Sequence, residues 1–169
     1  LAALLAWLWP GAGHLYQGRT AKGVLYMVCI LATYFYGLAL GHGHVVYASW
    51  RAEDRRLPYI CQVGVGLPAL PALVQAQLKK RGQPLLFGST FMAPPDINPD
   101  WRPPEPPDQL SQWHMDAGVG FELGTLFTMV AGLLNVLAIY DAFAGPVFAH
   151  PEDKSERGPP DEDEKDDDS

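Results

Sequence analysis

The chain has 169 residues, of which 48% are hydrophobic and 18% are charged, and its formal net charge is −7. Residues 151–169 carry ten carboxylates and three basic groups, so residues 1–150 are neutral overall. A neutral body with only short basic stretches excludes an extended nucleic-acid-binding surface. The two cysteines are too few for a disulfide framework and lack the spacing of zinc ligands, so no cofactor or metal is predicted.

The first apolar stretch, LAALLAWLWP, ends at Pro10 and Gly11, which favour a turn. A bilayer-spanning helix needs about 20 residues, and this stretch is much shorter. We interpret it as the end of a truncated helix, with a signal peptide as the competing interpretation. A glycine-rich hairpin, PGAGHLYQGRTAKG, then leads into the next helix.

Residues 23–50 contain no Asp, Glu, Lys or Arg. The part GVLYMVCILATYFYGLALG would extend about 28 Å as a helix, close to the roughly 30 Å hydrocarbon core of a bilayer. It predicts a transmembrane helix over residues 23–41. Gly37 and Gly41 have the GxxxG spacing that allows a neighbouring helix to approach closely.

Residues 57–78 are also uncharged, but Pro68 and Pro71 each remove a backbone donor, and three glutamines add polar groups. Both a proline-kinked span and a re-entrant segment fit this pattern, and we favour the kinked span. Residues 1–78 are thus predicted to form an N-terminal membrane region with a truncated helix, a hairpin and two spans.

The rest of the chain divides into three predicted parts. Residues 79–116 are rich in proline and predict an extramembrane loop, in which Trp101 and Trp113 could rest on the membrane surface. Residues 117–149 predict a C-terminal transmembrane helix. Residues 150–169 predict a disordered acidic tail.

The predicted fold class is therefore all-α, an integral membrane protein with three to four transmembrane helices. If residues 57–78 cross, the glycine-rich hairpin and residues 79–116 lie on one side of the membrane, and residues 42–56 and the tail lie on the other. The numbers of Lys and Arg near the span ends are equal on the two sides. The basic residues on the hairpin side lie closer to the span ends, which favours a cytoplasmic hairpin.

The hairpin sequence carries a family resemblance. PGAGHLYQGRTAKG resembles the Gly-x-x-Gly-x-His-x-Phe-Tyr-x-Gly signature of the two-transmembrane-helix domain family. The matching positions are Gly13, His14, Tyr16, Gly18 and Arg19. The glycines are closer together than in that signature and the aromatic pair is shifted. The segment AGLLNVLAIYDAFAGP is similar to the end of that domain's second helix, with Asp141 as its closing aspartate.

A second resemblance covers most of the chain. The order AWLWPGAGHLYQGRTAKG, FYGLALG, HVVYA and FELGTLFTMVAGLLNVLAIYDAFAGP is similar to an uncharacterised family of bacterial multi-pass membrane proteins. This resemblance implies a protein of the bacterial cytoplasmic (inner) membrane. It implies no known chemistry.

Two groups of polar residues are candidates for function. The hairpin residues His14, Tyr16, Arg19 and Lys22 can contact an anionic lipid headgroup or a partner, or they can simply cap and anchor the turn. Glu122, Asn135 and Asp141 belong to the last span, where polar groups are costly and often face partners rather than lipid. Packing or hydrogen bonding between helices is the competing interpretation for all three.

The sequence favours a non-enzymatic interaction or organising component of the membrane. Its expected partners are membrane lipid, a second copy of the chain or other membrane proteins, and not nucleic acid. A small transporter or channel subunit is the alternative, because of the broken third span and the polar residues of the last one. A third hypothesis is an enzyme acting on lipid headgroups, with His14 as acid or base and Arg19 as phosphate clamp.

Overall fold

Helices form the regular secondary structure of the described residues, apart from an isolated β-bridge between Trp50 and Arg55. The computed structural model describes residues 1–51, 55–89, 91–98, 100, 102 and 105–145. In chain order the helices are α1 (Ala2–Leu8), α2 (Ala12–Tyr16), α3 (Thr20–Leu40), α4 (Pro58–Gln62), α5 (Leu70–Lys80), α6 (Gln109–Ala117) and α7 (Val119–Ala144). Two 3-10 turns, Val63–Val65 and Leu67–Ala69, join α4 to α5. The all-α prediction is confirmed, while the acidic tail and Trp101 lie outside the described residues.

The two long helices, α3 and α7, pack side by side in opposite directions. Near one end, a Cβ atom added to Gly37 would lie 2.8 Å from the carbonyl oxygen of Gly124, so the two backbones approach as closely as glycine allows. Near the other end, Lys22 of α3 contacts Asp141 of α7. We call these the Trp113 end and the His14 end of the helix pair, after the buried side chains that lie there.

The N-terminal hairpin, residues 2–16, enters the helix pair from the His14 end. α1 runs inward, with its carbonyl oxygen of Ala6 accepting a hydrogen bond from Asn135 of α7. The chain turns at Gly11 and returns outward as α2. Gly13 on α2 packs 2.8 Å from the Cβ atom of Ala6 and 3.2 Å from that of Ala142, measured from an added Cβ atom.

A second hairpin, residues 58–80, enters from the Trp113 end; we call it the inserted hairpin. Its inward arm passes Thr128 and then Gly132 of α7, and a Cβ atom on Gly64 would lie 2.7 Å from the Gly132 carbonyl oxygen. The outward arm returns beside the inward one, and the two are joined by a hydrogen bond from the Tyr59 hydroxyl to the Ala69 carbonyl at 2.9 Å.

Gly66 forms the tip of the inserted hairpin, with a φ of +86°. That conformation is readily available only to glycine. A Cβ atom there would also overlap the carbonyl oxygen of Trp7 at the inner end of α1. The two hairpins therefore meet tip to tip against α7, at a point where a side chain on Gly66 does not fit.

Residues 57–78 thus do not form the kinked span that the sequence favoured. The backbone breaks at Gly66, and Pro68 and Pro71 start the helical pieces of the returning arm, where their missing N–H groups are tolerated. In the described residues, α3 and α7 are the helices long and apolar enough to cross a membrane, which is fewer than the three to four predicted. The side assignment changes too, because the end of α7 lies at the His14 end, beside the glycine-rich hairpin.

The Trp113 end is closed by the connecting loops. The indole ring of Trp113 stacks on the imidazole of His44, with ring centres 4.3 Å apart. The amide nitrogen of Gln75 donates to the carbonyls of Gly88 and Phe91, which holds the loop after α5 against the inserted hairpin. Trp113 is buried, so it does not rest on a membrane surface as expected.

Candidate functional site

A cluster of charged residues surrounds Asp141 at the His14 end. The carboxylate oxygen Oδ2 of Asp141 lies 2.6 Å from Nε2 of His14 and 2.5 Å from Nζ of Lys22. Nη1 of Arg19 lies farther away, at 3.9 Å from the same oxygen. Three elements, α2, α3 and the last turn of α7, therefore converge on a single carboxylate.

The local sequence explains this convergence. Thr20 begins α3, so Arg19 and Lys22 flank its first turn and lie on the same side at a spacing of three residues. The small residues Gly13 and Ala142 let α2 approach α7 closely. Nε2 of Gln17 then donates to the carbonyl of Ala142 at 2.7 Å, near the C-terminus of α7, where carbonyl groups lack helical partners.

Burial differs within the cluster. His14 is 0% exposed, and its ring packs edge-on against Tyr26 at a centroid distance of 5.0 Å, whereas the side chain of Asp141 is 34% exposed. Some buried polar atoms of the cluster have no hydrogen-bond partner among the described residues. They are Nδ1 of His14, Oε1 of Gln17 and Nη1 of Arg19.

The charges of the cluster do not balance. Arg19 and Lys22 contribute two positive charges and Asp141 one negative charge, so these described side chains carry a net positive charge even with a neutral imidazole. This arrangement suits two tasks: holding α2 and α3 against α7 through charge-assisted hydrogen bonds, or attracting an anion to Arg19 at the edge. Tyr16, the remaining hairpin candidate, is 63% exposed.

Asn135 lies deeper in the helix pair and does not belong to the Asp141 cluster. Its Nδ2 atom donates to the carbonyls of Ala6, at 3.1 Å, and Gly64, at 2.9 Å. One fully buried side chain therefore joins both hairpins to α7. Its Oδ1 atom is buried without a hydrogen-bond partner among the described residues.

Glu122 lies at the opposite end of α7, in the first turn of the helix. Its carboxylate is exposed and lies 3.6 Å from Nε2 of His114. The structure therefore brings His14, Arg19 and Lys22 together with Asp141, and it leaves Asn135 and Glu122 in separate places. The described residues hold no group of three or more His, Cys, Asp or Glu side chains that could bind a metal ion.

A family model described as a family of unknown function, DUF6677, matches residues 1–155. The chain belongs to this family. No curated protein and no solved structure matches it. The resemblance to an uncharacterised family is therefore confirmed, and membership of DUF6677 brings no activity with it.

A polar network missed by the sequence reasoning connects the inserted hairpin of this DUF6677 chain to α7. Gln62 donates to the Thr128 hydroxyl at 2.8 Å, and Nη2 of Arg56 donates to the Thr125 hydroxyl at 2.9 Å. Both side chains also donate to the carbonyl of Val45. The three-residue spacing that puts Thr125 and Thr128 on one helical face is the sequence signal that could have indicated such a partner.

Proposed function

We propose that the chain is an integral membrane protein that crosses the bilayer with α3 and α7 and inserts its two hairpins from opposite sides. The exposure of the long helices carries this proposal. Only 28% of the most apolar window of α3 and 39% of that of α7 is buried within the fold. The central helix of a water-soluble domain would hide most of such a surface, because exposed apolar patches promote association.

The outward faces of α3 and α7 are continuous and apolar. Their exposed members include Leu25, Val28, Phe35, Leu126, Leu133 and Leu137. Lipid tails, a second copy of the chain or another membrane protein can cover these faces. The buried face of α7 instead carries small residues and the amide of Asn135; the small residues include Gly124, Ala131, Gly132 and Ala138.

The role that fits this packing best is a non-enzymatic interaction or organising component of the membrane. Family resemblance supports placing it in the bacterial cytoplasmic membrane. The enzyme hypothesis gains no support from the geometry, since His14 is fully buried under Tyr26 and faces Asp141 rather than a headgroup.

Topology can be tested by single-cysteine labelling of the full chain in cells, after Cys29 and Cys61 are replaced by alanine. Cysteines at Gly18 and Gly145 should react with a membrane-impermeant thiol reagent from one side, and cysteines at His42 and Gly82 from the other. Labelling of Gly18 and Gly145 from opposite sides would contradict the two-span proposal. Complete recovery of the protein in the soluble fraction after cell breakage would contradict membrane insertion itself.

Partners can be tested by cross-linking in native membranes followed by mass spectrometry. Cross-links should map to the exposed faces of α3 and α7, and substitution of Leu133 and Leu137 by alanine should reduce them. Leu25→Ala on the outward face of α3 is the comparison variant: it should reduce the cross-links that map to α3 and leave those near Leu133 and Leu137 unchanged. Absence of any cross-linked protein under these conditions would count against an interaction role.

A transporter or channel subunit is a second candidate, favoured by the meeting of the two hairpins. Discontinuous helices that meet inside the bilayer form binding sites in secondary transporters, where unwound backbone and helix ends contact the ion or substrate. Here the tips meet beside Oδ1 of Asn135, which has no hydrogen-bond partner within the described part of the chain. Purified full-length protein in proteoliposomes should then conduct protons or sodium ions, and Asn135→Leu should remove that flux. Flux no greater than in protein-free liposomes would eliminate this candidate.

A further inference from the structure

A cleft of 270 Å³ opens at the Trp113 end, far from the Asp141 cluster. Two chain segments line it. They contribute Ala48, Ser49, Trp50 and Arg51 from the loop after α3, and Ala76, Lys79, Lys80 and Pro94 from α5 and the loop that follows. Three of these residues are cationic. Hairpin residues that the sequence singled out as headgroup contacts contribute nothing to this cleft.

Lys79 is held in place within the cleft. Its Nζ atom donates to the carbonyl of Pro94 at 2.6 Å and lies 2.9 Å from Oδ1 of Asp96. The side chain of Lys79 is only 17% exposed, whereas Arg51, Lys80 and the ring of Trp50 are exposed at the mouth. One carboxylate against three cations leaves the described lining with an excess of positive charge.

The size and lining select the kind of ligand. A volume of 270 Å³ corresponds to about nine water molecules at about 30 Å³ each, which is enough for a phosphoryl group and the atoms esterified to it. Arg and Lys are the side chains that bind phosphate oxygens best. The alanines, Pro94 and Trp50 add apolar surface, which a free inorganic ion does not use.

The position selects the source of that phosphoryl group. The inserted hairpin begins just after Arg56 and ends at Lys80, so under the proposed membrane placement its ends mark the bilayer surface. Tryptophan is enriched at that level, and basic pockets between membrane helices bind anionic lipid headgroups.

We propose that the cleft formed by Trp50, Arg51, Lys79 and Lys80 binds the phosphoryl headgroup of an anionic phospholipid. This inference rests on the membrane placement proposed above but not on the role of the protein. The lipid would bridge the loop after α3 and the end of α5, thereby fixing the inserted hairpin at its base.

The test uses purified full-length protein in a neutral detergent, titrated with short-chain phosphatidylglycerol and followed by thermal unfolding and microscale thermophoresis. Binding should saturate, and short-chain phosphatidylcholine should bind much more weakly. The double variant Arg51→Gln and Lys80→Gln should weaken phosphatidylglycerol binding by about 10- to 30-fold, as expected for the loss of two cations near a membrane surface. Both side chains are exposed, so the variant should still fold.

The matched control is the double variant Arg55→Gln and Arg81→Gln. It removes the same charge from the same end of the molecule but changes no residue of the cleft. It should weaken binding by less than about threefold, the effect of a small change in surface potential. Equal losses in the two double variants would overturn the proposal, because they would show a general surface attraction.

Inorganic phosphate and glycerol 1-phosphate distinguish the source of the phosphoryl group. Neither should displace phosphatidylglycerol at comparable concentration. Displacement by either compound would overturn the lipid assignment in favour of a soluble phosphate ligand. Labelling of Gly18 and Gly145 from opposite sides would overturn the two-span placement, whereas equal losses in the two double variants would overturn the cleft assignment, so the two failures are distinguishable.

Discussion

The two hairpins are fastened to the α3 and α7 pair by different chemistry. The N-terminal hairpin is held at its outer end through the Asp141 carboxylate, which contacts His14 of the hairpin and Lys22 of α3. The inserted hairpin is held along its length by neutral amides and hydroxyls, with Gln62 donating to Thr128 deep in the pair. Arg56 joins that network only near the outer end.

Depth explains the difference. A charge is least costly near the ends of membrane-spanning helices, where water can reach it, and most costly in the middle. Neutral groups that bond to carbonyls satisfy the broken backbone of a hairpin tip without a net charge. Asn135 illustrates this, because its neutral amide donates hydrogen bonds to both hairpins at their inner ends.

The largest effect is expected where the two hairpins touch. Gly66→Ala would force a side chain into the carbonyl of Trp7 at a φ of +86°, so both strain and overlap oppose it. We expect a loss of about 2–5 kcal/mol of stability. Thermal unfolding in detergent measures this loss.

Gly82→Ala is the matched control for that substitution. Gly82 has a φ of +65° but no atom within 4 Å of an added Cβ atom. It should lose only about 1 kcal/mol, the cost of the left-handed conformation. Similar losses at Gly82 and Gly66 would show that the hairpin tips do not press against each other.

The contacts of Asp141 with His14 and Lys22 are tested by Asp141→Asn, which keeps the size of the side chain and removes its charge. His14 and Lys22 would then lack their anionic partner, and we expect a loss of about 1–2 kcal/mol for this partly exposed cluster. Glu122→Gln, on the exposed and loosely paired acid of the same helix, should lose less than about 0.5 kcal/mol. Equal losses would mean that the cluster contributes no specific contact.

The neutral hydrogen bonds of the inserted hairpin are tested by Gln62→Met, which keeps the side-chain volume and removes the donor to Thr128. A loss of about 1 kcal/mol is expected, because the Thr128 hydroxyl keeps its own bond to the Gly124 carbonyl. The salt dependence of the two substitutions distinguishes ionic from neutral contacts. Screening at about 1 M salt, where the Debye length is about 3 Å, should reduce the effect of Asp141→Asn and leave that of Gln62→Met unchanged.

The smallest effect is a pH dependence at the Trp113 end. Burial against the fold lowers the pKa of His44 below its usual 6.5, the nearby His42 lowers it further, and Asp116 opposes both. The unfolded chain therefore takes up this proton first, so stability present above pH 6.5 should decline as the pH falls toward the lowered pKa. His44→Gln should flatten that part of the stability profile measured by denaturant unfolding. An unchanged profile would show that His44 does not contribute.

Sequence patterns predicted the long elements well and the inserted hairpin poorly. The uncharged stretches after Gly23 and after Glu122 predict α3 and α7, because length and composition suffice for such helices. Residues 57–78 are also uncharged and long enough to cross, but their structure depends on where the chain turns at Gly66. That turn packs against the carbonyl of Trp7, which lies far away in the sequence.

The Asp141 cluster was beyond sequence reasoning for a related reason. His14 and Asp141 are 127 residues apart, and each was a candidate in its own group. Interpreting residues 57–78 as a crossing placed the two on opposite sides of the membrane. A single miscounted crossing was enough to separate partners that lie 2.6 Å apart.

The broken backbone at Gly66 has a consequence for biogenesis. Neither hairpin can rest stably in lipid alone, since the peptide groups at each tip need partners from the rest of the fold. α3 and α7 satisfy their own backbones and can leave the translocon as independent helices. Assembly should therefore proceed in two stages, with the long helices inserting first and the short arms docking afterwards, and a chain interrupted between these stages would expose its tips to quality-control proteases.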